Sequence, residues 1–203
     1  MTTPSRIGVL GGSFDPPHIG HGSLASLAIT AANLEKVVMV PSGDHPFKLH
    51  LGQTKRQRFE MCELFASLRT GIEVSAIEVE KQGVCYTCDT LLELQQIYGP
   101  RLCFVAGSDL LFELSAWKSP ELVFGRADFI VFAREGQKNW RDGAIAATQM
   151  LQNEFNANIE LVFENVPQMV SSSQIREDVH KWSHLLDLEV YEYIVKNRMY
   201  EIG

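Results

Sequence analysis

The sequence predicts an α/β fold: an open, mostly parallel, doubly wound (Rossmann-like) sheet with helices on both faces. Short apolar segments alternate with helical patterns along the whole chain, which is typical of such sheets. Glycine turns and serine clusters follow the predicted strands, at the carboxyl ends where these sheets bind ligands. With 203 residues and no repeat, linker or low-complexity segment, residues 1–203 are expected to form a single domain.

Six apolar segments are predicted to be strands, and helical patterns separate them. The strand segments are residues 7–10, 36–40, 72–77, 102–106, 129–132 and 159–163. Helices are expected in the segment that carries Leu24, Leu27, Ala28 and Ala31, after Thr54, Thr87, Ser119 and the serines at 171–173, and over residues 144–155 and 188–196. The polar residues 135–143 are expected to form a loop.

Capping residues mark where two of these helices begin. Thr54, with Gln57 three residues later, matches a capping box, and Thr87 is the expected N-cap of the next helix. Arg56 and Arg58 fall in the first turn after Thr54, where a cation opposes the helix dipole. Solvation and anion binding are both open interpretations of these two arginines.

The bulk properties narrow the class of protein. A formal net charge of −7 argues against a general nucleic-acid surface, which needs clustered Lys and Arg. No apolar run is as long as a membrane span, so no membrane association is expected. No stretch resembles a secretory signal, and we therefore expect a cytoplasmic protein. The oligomeric state is not readable from the sequence.

The four cysteines allow two interpretations. Cys85 and Cys88 form a C-x-x-C pattern, which can mark a redox pair or half of a zinc site. A zinc site would need a second pair, but Cys62 and Cys103 stand alone in the sequence. Reduced thiols of a cytosolic protein are therefore the favoured interpretation.

The most informative stretch is residues 11–21, Gly-Gly-Ser-Phe-Asp-Pro-Pro-His-Ile-Gly-His, between a predicted strand and a predicted helix. Gly11 and Gly12 can adopt φ > 0 and let a ligand approach the backbone. The helix start offers N–H groups to an anion, and His18 and His21 share a face of the first turn. These features together indicate a phosphate site.

Three other interpretations of this stretch compete with a phosphate site. Two histidines at this spacing can bind a metal ion, but a third ligand would have to come from elsewhere. A purely structural turn would need neither histidine and would leave the two glycines unexplained. A dinucleotide fingerprint requires Gly-x-Gly-x-x-Gly, and the spacing here differs.

The same residues carry a family resemblance. His-Ile-Gly-His at 18–21 looks like the HxGH signature of the nucleotidyltransferase superfamily, and residues 11–21 resemble bacterial nicotinate-nucleotide adenylyltransferases most closely. Residues 85–91 are similar to that family's SYTxDTL element, and Gly107-Ser108-Asp109 with Trp117 to its GxD…W segment. Residues 170–176 resemble its ISSTxIR motif. In this alignment Cys88 fills a variable position, which removes the reason to regard C-x-x-C as a redox motif.

The resemblance implies an enzyme of NAD biosynthesis that joins ATP and nicotinate mononucleotide to give nicotinate adenine dinucleotide and pyrophosphate. It implies Mg²⁺ bound with ATP, and no metal site made by the protein alone. The implied catalytic residues are His18, His21, Lys48 and Arg176. The implied ATP contacts are Gly11, Gly12, Ser13, Phe14, His18, His21, Gly107, Asp109, Ser172, Ser173 and Arg176. The implied mononucleotide contacts are Ser13, Tyr86, Thr87, Asp89, Trp117 and Arg134.

The chain departs from the family pattern at three positions. Phe47 stands where the family's PPHK loop has histidine, although Lys48 matches the lysine. Glu135 replaces the proline that often follows the arginine at 134. Ser173 replaces the threonine of the ISST element and keeps its hydroxyl group.

The implied reaction suits these residues chemically. The mononucleotide phosphate is already an anionic nucleophile, so the site needs neither a base nor a covalent intermediate. It must bring two polyanions together and stabilise charge on the α-phosphoryl group and the leaving pyrophosphate. Phosphopantetheine adenylyltransferases and cytidylyltransferases share the HxGH chemistry but are shorter. A non-catalytic nucleotide sensor on the same fold is a further alternative.

Overall fold

The computed structural model describes residues 6–44, 53–132, 140–163 and 170–200. The strands of this part of the chain are β1 (Ile7–Gly12), β2 (Lys36–Pro41), β3 (Ile72–Val74), β4 (Leu102–Gly107), β5 (Ala127–Phe132) and β6 (Ile159–Val162). Its α-helices are α1 (Ile19–Ala31), α2 (Lys55–Ser67), α3 (Thr87–Tyr98), α4 (Pro120–Arg126), α5 (Trp140–Phe155), α6 (Ser172–Glu177) and α7 (Leu188–Lys196). Within the described ranges, no helix has the length and apolar character needed to cross a membrane.

The strands form one sheet in the order β3-β2-β1-β4-β5-β6. This strand order is typical of doubly wound folds. The order of successive strands across the sheet runs one way up to β1 and the opposite way from β4, so it reverses between these two neighbouring parallel strands. The pairings of β1 with β4, β4 with β5 and β5 with β6 are parallel, with Ile7 opposite Leu102, Leu102 opposite Ala127, and Phe129 opposite Ile159. The predicted fold class is confirmed.

Continuous apolar runs explain the central strands. In β4 and β5 nearly every residue is buried, and Val105 and Ile130 are 1% and 0% exposed. Strands of a parallel sheet are covered on both faces, so they need apolar side chains at successive positions rather than at alternate ones.

The chain divides into two compact units. The first unit consists of Met1–Leu10, Leu24–Val37 and Tyr86–Val166, and the second of Gly11–Ser23, Val38–Cys85 and Pro167–Gly203. In the first unit α3 packs on α4 and β4, and α5 packs on β6. In the second unit α2 packs on β3 and α7, and Arg69 makes a two-pronged ion pair with Asp187 at 2.7 and 3.0 Å.

Helix α2 begins as the sequence predicts. The Thr54 hydroxyl accepts a hydrogen bond from the Gln57 N–H, and the Gln57 side chain accepts one from the Thr54 N–H, both at 3.2 Å. Arg56 pairs with Glu60 on the surface at 2.7 Å, whereas Arg58 turns inward and is 1% exposed. Neither solvation nor anion binding therefore describes Arg58.

Two element boundaries were predicted wrongly for local reasons. Strand β3 ends at Val74 instead of residue 77, because the Ser75 hydroxyl accepts a hydrogen bond from the Ile77 N–H at 3.3 Å and turns the chain. Helix α3 has Tyr86 as its N-cap and Thr87 as its first residue, so the Thr87 N-cap was wrong by one position.

The polar segment at residues 135–143 is not entirely a loop. Helix α5 starts at Trp140, while residues 135–139 lie outside the described residues. Asp142 lies in the first turn of α5, where a carboxylate interacts favourably with the helix dipole. Polarity therefore reflects an exposed helix start at these positions.

Candidate functional site

Residues 11–21, which we call the β1–α1 loop and which run from the end of β1 into the first turn of α1, contain the first group of predicted site residues. The left-handed residue of this turn is the buried Phe14, with φ of 48°, and neither Gly11 nor Gly12 has a positive φ. Gly12 fits this turn for another reason, because a Cβ there would lie 3.0 Å from the Phe14 ring, which would have to shift. This turn therefore does not use the freedom of Gly11 and Gly12 to adopt φ > 0.

The structure brings His18 and His21 together. Their rings stack at a centroid distance of 3.8 Å, with 26° between the planes, and the Phe14 ring meets His21 edge-on at 4.9 Å. The His18 N–H donates to Nδ1 of His21 at 3.2 Å, and the His18 carbonyl accepts from the His21 N–H at 2.9 Å. Because Nδ1 of His21 is an acceptor, its neutral ring carries the proton on Nε2, which makes Nε2–H the donor for a ligand.

The backbone from Gly12 to Pro16 is held in place by hydrogen bonds that its carbonyl groups accept. The Gly12 carbonyl accepts from the Ser42 N–H at 2.8 Å, and the Ser13 carbonyl accepts from Arg58 at 2.7 Å. The Asp15 and Pro16 carbonyls accept from side chains of α6: Arg176 at 2.7 Å and Ser172 at 2.9 Å. Residues far away in sequence therefore position the candidate phosphate site.

Arg58 supports the candidate site in a way that the sequence did not predict. Its guanidinium also donates to the Ser42 carbonyl and hydroxyl groups, the latter at 3.3 Å. Burial lowers the pKa of Arg58, and the nearby Asp15 carboxylate opposes that shift. A signal was present in the sequence, because Arg58, Cys62 and Phe65 follow i, i+4, i+7 spacing and thus share the buried face of α2.

Helix α6 carries the predicted serine and arginine residues. Its N-cap is Ser171, whose hydroxyl accepts from the Gln174 N–H at 3.2 Å. Arg176 also donates to the Ser173 hydroxyl at 3.1 Å. Arg176 lies in the last turn of this short helix and not in the first turn, because the helix contains only six residues.

The second group of predicted residues lies in the first unit, at the start of α3. Tyr86 is the N-cap without a side-chain capping bond, Thr87 is the first helical residue, and Asp89 lies exposed in the first turn. The Lys118 ammonium lies 3.9 Å from the centre of the Tyr86 ring. A helix start and a neighbouring cation both favour a negatively charged group.

The end of β4 supplies the remaining described residues of this second group. Gly107 ends the strand, and Asp109 is exposed in the 3₁₀ turn Ser108–Phe112. Trp117 is half-buried, and its ring meets that of Phe104 edge-on at 5.8 Å. Lys48 and Arg134, which were also predicted site residues, lie outside the described residues.

The cysteines behave as structural thiols. All four are free, and burial raises the pKa of Cys85 and Cys88 and raises that of Cys103 to about 11. A raised pKa disfavours the thiolate, which is the reactive form in redox pairs. Among the described residues, no group of three or more His, Cys, Asp or Glu side chains is arranged to hold a metal ion.

Comparison with known proteins gives a consistent result. A sequence model described as cytidylyltransferase-like matches residues 9–178. A protein of Carboxydothermus hydrogenoformans named probable nicotinate-nucleotide adenylyltransferase is 34% identical over 201 residues, covering 97% of this chain and 98% of the relative. A relative with the same name from Thermoanaerobacter sp. is 33% identical over 214 residues, covering 99% of this chain and 97% of the relative.

A solved structure supports the fold independently. Plasmodium falciparum nicotinic acid mononucleotide adenylyltransferase complexed with NaAD superposes with a TM-score of 0.74, and the match covers 98% of both chains. The two sequences are 18% identical, so this similarity bears on the fold alone.

Proposed function

We propose that this chain transfers the adenylyl group of ATP to nicotinate mononucleotide. The chain belongs to the nicotinate-nucleotide adenylyltransferase family, which lies within the cytidylyltransferase-like proteins. The products are nicotinate adenine dinucleotide and pyrophosphate, a step of NAD biosynthesis. The single observation that best supports this proposal is the stacked His18–His21 pair at the start of α1, at a ring distance of 3.8 Å.

The β1–α1 loop has the chemistry that the ATP phosphates require. As the mononucleotide phosphate attacks the α-phosphorus, charge increases on the bridging oxygen of the departing pyrophosphate. The donors suited to this charge are the Nε2–H group of His21, the His18 imidazole, the Arg176 guanidinium and the N–H groups of Ile19 and Gly20, the first two residues of α1. We assign Gly11, Gly12, Ser13, Phe14, Ser172 and Ser173 to the same phosphate contacts, and Gly107 and Asp109 to the adenosine end.

Magnesium fits this proposal as a partner of ATP. Asp15 is the carboxylate of the β1–α1 loop, and it is 0% exposed and bonded to Tyr200, so it is unsuited to bind the ion. Mg²⁺ commonly binds through substrate phosphates and keeps several waters, which requires few protein ligands. Bound to ATP, the ion would reduce the negative charge of the phosphates.

We assign the mononucleotide to the start of α3 and to Trp117 in the second group of residues, with Ser13 of the β1–α1 loop as a further contact. The start of α3, with Tyr86, Thr87 and the Lys118 ammonium, offers N–H donors and positive charge to the nicotinate carboxylate. The half-buried Trp117 ring offers a face to the pyridine ring. Asp89, Arg134 and the catalytic Lys48 are further assignments made from the family motifs.

Three broader assignments belong to the same proposal. Residues 1–203 act as a single nucleotidyltransferase domain, which the match over residues 9–178 supports because it includes parts of both units. The enzyme works on small molecules in the cytoplasm. It binds neither nucleic acid nor membranes, in keeping with its net charge of −7.

A turnover assay tests the proposal directly. The purified protein is incubated with ATP, Mg²⁺ and nicotinate mononucleotide, and pyrophosphate and nicotinate adenine dinucleotide are measured together. Both products should form in equal amounts. ATP binding without pyrophosphate release would instead favour a nucleotide sensor, and release only with phosphopantetheine would favour the other adenylyltransferase activity.

A further inference from the structure

Tyr200 reaches the β1–α1 loop from the far end of the chain. Its hydroxyl donates to Oδ1 of Asp15 at 2.6 Å, across 185 residues of sequence. Asp15 is 0% exposed, so its carboxylate depends on protein donors and cations for stabilisation. Tyr200 supplies one of these donors.

Asp15 in turn contacts a residue assigned to the ATP phosphates. Nη1 of Arg176 donates to the Asp15 carbonyl at 2.7 Å and lies 3.9 Å from the second carboxylate oxygen, Oδ2. Nη2 of Arg176 donates to the Ser173 hydroxyl at 3.1 Å. These contacts fix the plane of the guanidinium, and a planar fork must be correctly oriented to bind phosphate oxygens in pairs.

The charges around Asp15 suit a fixed arrangement. Burial, and then the Asp15 carboxylate, raise the pKa of Tyr200 well above its ordinary value, so its hydroxyl remains a donor. Arg58 and Arg176 both lie close enough to oppose that shift electrostatically. The Asp15 carboxylate thus lies near the positive charges of Arg58, which is buried, and Arg176, which is partly exposed. The orientation of this carboxylate determines how it interacts with each arginine.

We propose that Tyr200 is a positioning residue, which acts through Asp15 to orient the Arg176 guanidinium for the phosphates of ATP. The inference rests on the proposed function, because it assumes that Arg176 contacts ATP. Tyr200 itself does not contact the substrate in this arrangement. Its hydroxyl fixes one carboxylate oxygen, and the Asp15 main chain and second oxygen then fix the arginine.

If Tyr200 only stabilised the fold, a different result would be expected from its substitution. A second tyrosine of the chain provides the control. Tyr193 also donates its hydroxyl to a carboxylate, that of Glu60, within the same unit. Replacing either tyrosine by Phe removes one hydroxyl and one such hydrogen bond. If only stability matters, the two variants should behave alike in ATP binding and turnover.

The experiment compares Tyr200→Phe, Arg176→Ala, the double variant and Tyr193→Phe. The Kd for Mg·ATP is measured by calorimetry, and kcat/KM for ATP is measured at saturating nicotinate mononucleotide. Tyr200→Phe should weaken ATP binding by about tenfold, the size expected if a misoriented Arg176 loses one charge-assisted hydrogen bond to the phosphates. In the Arg176→Ala background, the same change should have almost no further effect, because the residue it orients is absent.

The outcomes separate the inference from the proposed function. Unchanged ATP affinity in Tyr200→Phe, an effect equal to that of Tyr193→Phe, or effects that add fully to those of Arg176→Ala would overturn the role of Tyr200. Melting temperatures confirm that each variant is folded at the assay temperature. If the wild-type protein binds ATP but forms no dinucleotide, the proposed function fails, while the calorimetric comparison still decides the positioning role.

Discussion

The β1–α1 loop and the start of α3 are held in place in different ways. Donors from residues distant in sequence fix the loop, including Arg58, Arg176 and Tyr200. The start of α3 depends more on local helix geometry, although Lys118 lies on the face of Tyr86 and Arg126 donates to the Cys88 carbonyl at 2.8 Å. The loop is thus held mainly by long-range contacts, whereas the start of α3 has fewer of them.

The two kinds of support predict different tolerance of the two regions to amino-acid substitutions. In the proposed reaction the loop holds several donors for the ATP phosphates at once, and a displacement of about 1 Å can cost about 100-fold in rate. In the same proposal the start of α3 needs only to select and hold one ring and one small anion. Changes to the support of the loop should therefore affect stability and chemistry, whereas changes near α3 should affect mainly substrate affinity and choice.

The largest expected effect comes from removing the buried support of the loop. Arg58→Met should lower the free energy of unfolding by about 3–5 kcal/mol, because several buried acceptors and Asp15 lose their cation. Urea denaturation measures the change. Arg56→Met is the matched control, since Arg56 is exposed and pairs with Glu60 at the surface, and equal losses in the two variants would contradict this explanation.

The next effect concerns the chemistry at the loop. His18→Ala should lower kcat by about 100- to 1000-fold, and change KM for ATP much less, because its imidazole acts on charge that develops in the transition state. Steady-state kinetics with both substrates test this. His180→Ala changes an exposed histidine bonded to Tyr191 and should leave kcat as it is. A folded His18→Ala variant with normal kcat would remove His18 from the chemistry.

Substrate choice tests the start of α3. The preference for nicotinate over nicotinamide mononucleotide should be at least about tenfold in kcat/KM, because a carboxylate accepts the N–H bonds of the helix start, whereas an amide NH₂ opposes them. Lys118→Met should reduce this preference by removing the cation beside Tyr86. Comparable values for both mononucleotides in the wild-type protein would show that the carboxylate is not bound there.

The smallest effect tests the aromatic part of the second group. Trp117→Ala should raise KM for the mononucleotide by about tenfold through lost stacking and burial, and leave KM for ATP almost unchanged. Trp182→Ala removes a comparable half-buried indole from the second unit and should change neither value. Equal damage to both KM values, or a large fall in melting temperature, would make Trp117 a packing residue.

The sequence predicts most of the fold because its signals are local. Apolar runs, the Thr54 capping box and the HxGH turn each depend on neighbouring residues, and the structure contains all of them. Where one side chain competes with the general pattern, the prediction fails: the Ser75 hydroxyl ends β3 early, and Tyr86 replaces Thr87 as the N-cap.

The candidate site was only partly predictable because its support is not local. The spacing of Arg58 from Cys62 and Phe65 could have indicated a buried arginine, whereas the prediction left only solvation or anion binding open, and nothing in the sequence says which carbonyl groups Arg58 contacts. Tyr200 lies 185 residues from Asp15, and no pattern around either residue connects them. Such contacts depend on the folded path of the whole chain.

The hydrogen bond between Tyr200 and Asp15 also determines when, during translation, the β1–α1 loop can be completed. A ribosome that has incorporated Asp15 must add 185 further residues before Tyr200 exists. At a synthesis rate of about 5–20 residues per second, this takes roughly 10–40 s. For most of that interval the nascent chain contains the HxGH segment without the α6 donors, and throughout it the tyrosine is absent. The sheet can begin to assemble during translation, whereas the β1–α1 loop acquires its full set of described contacts only after Tyr200 has been added.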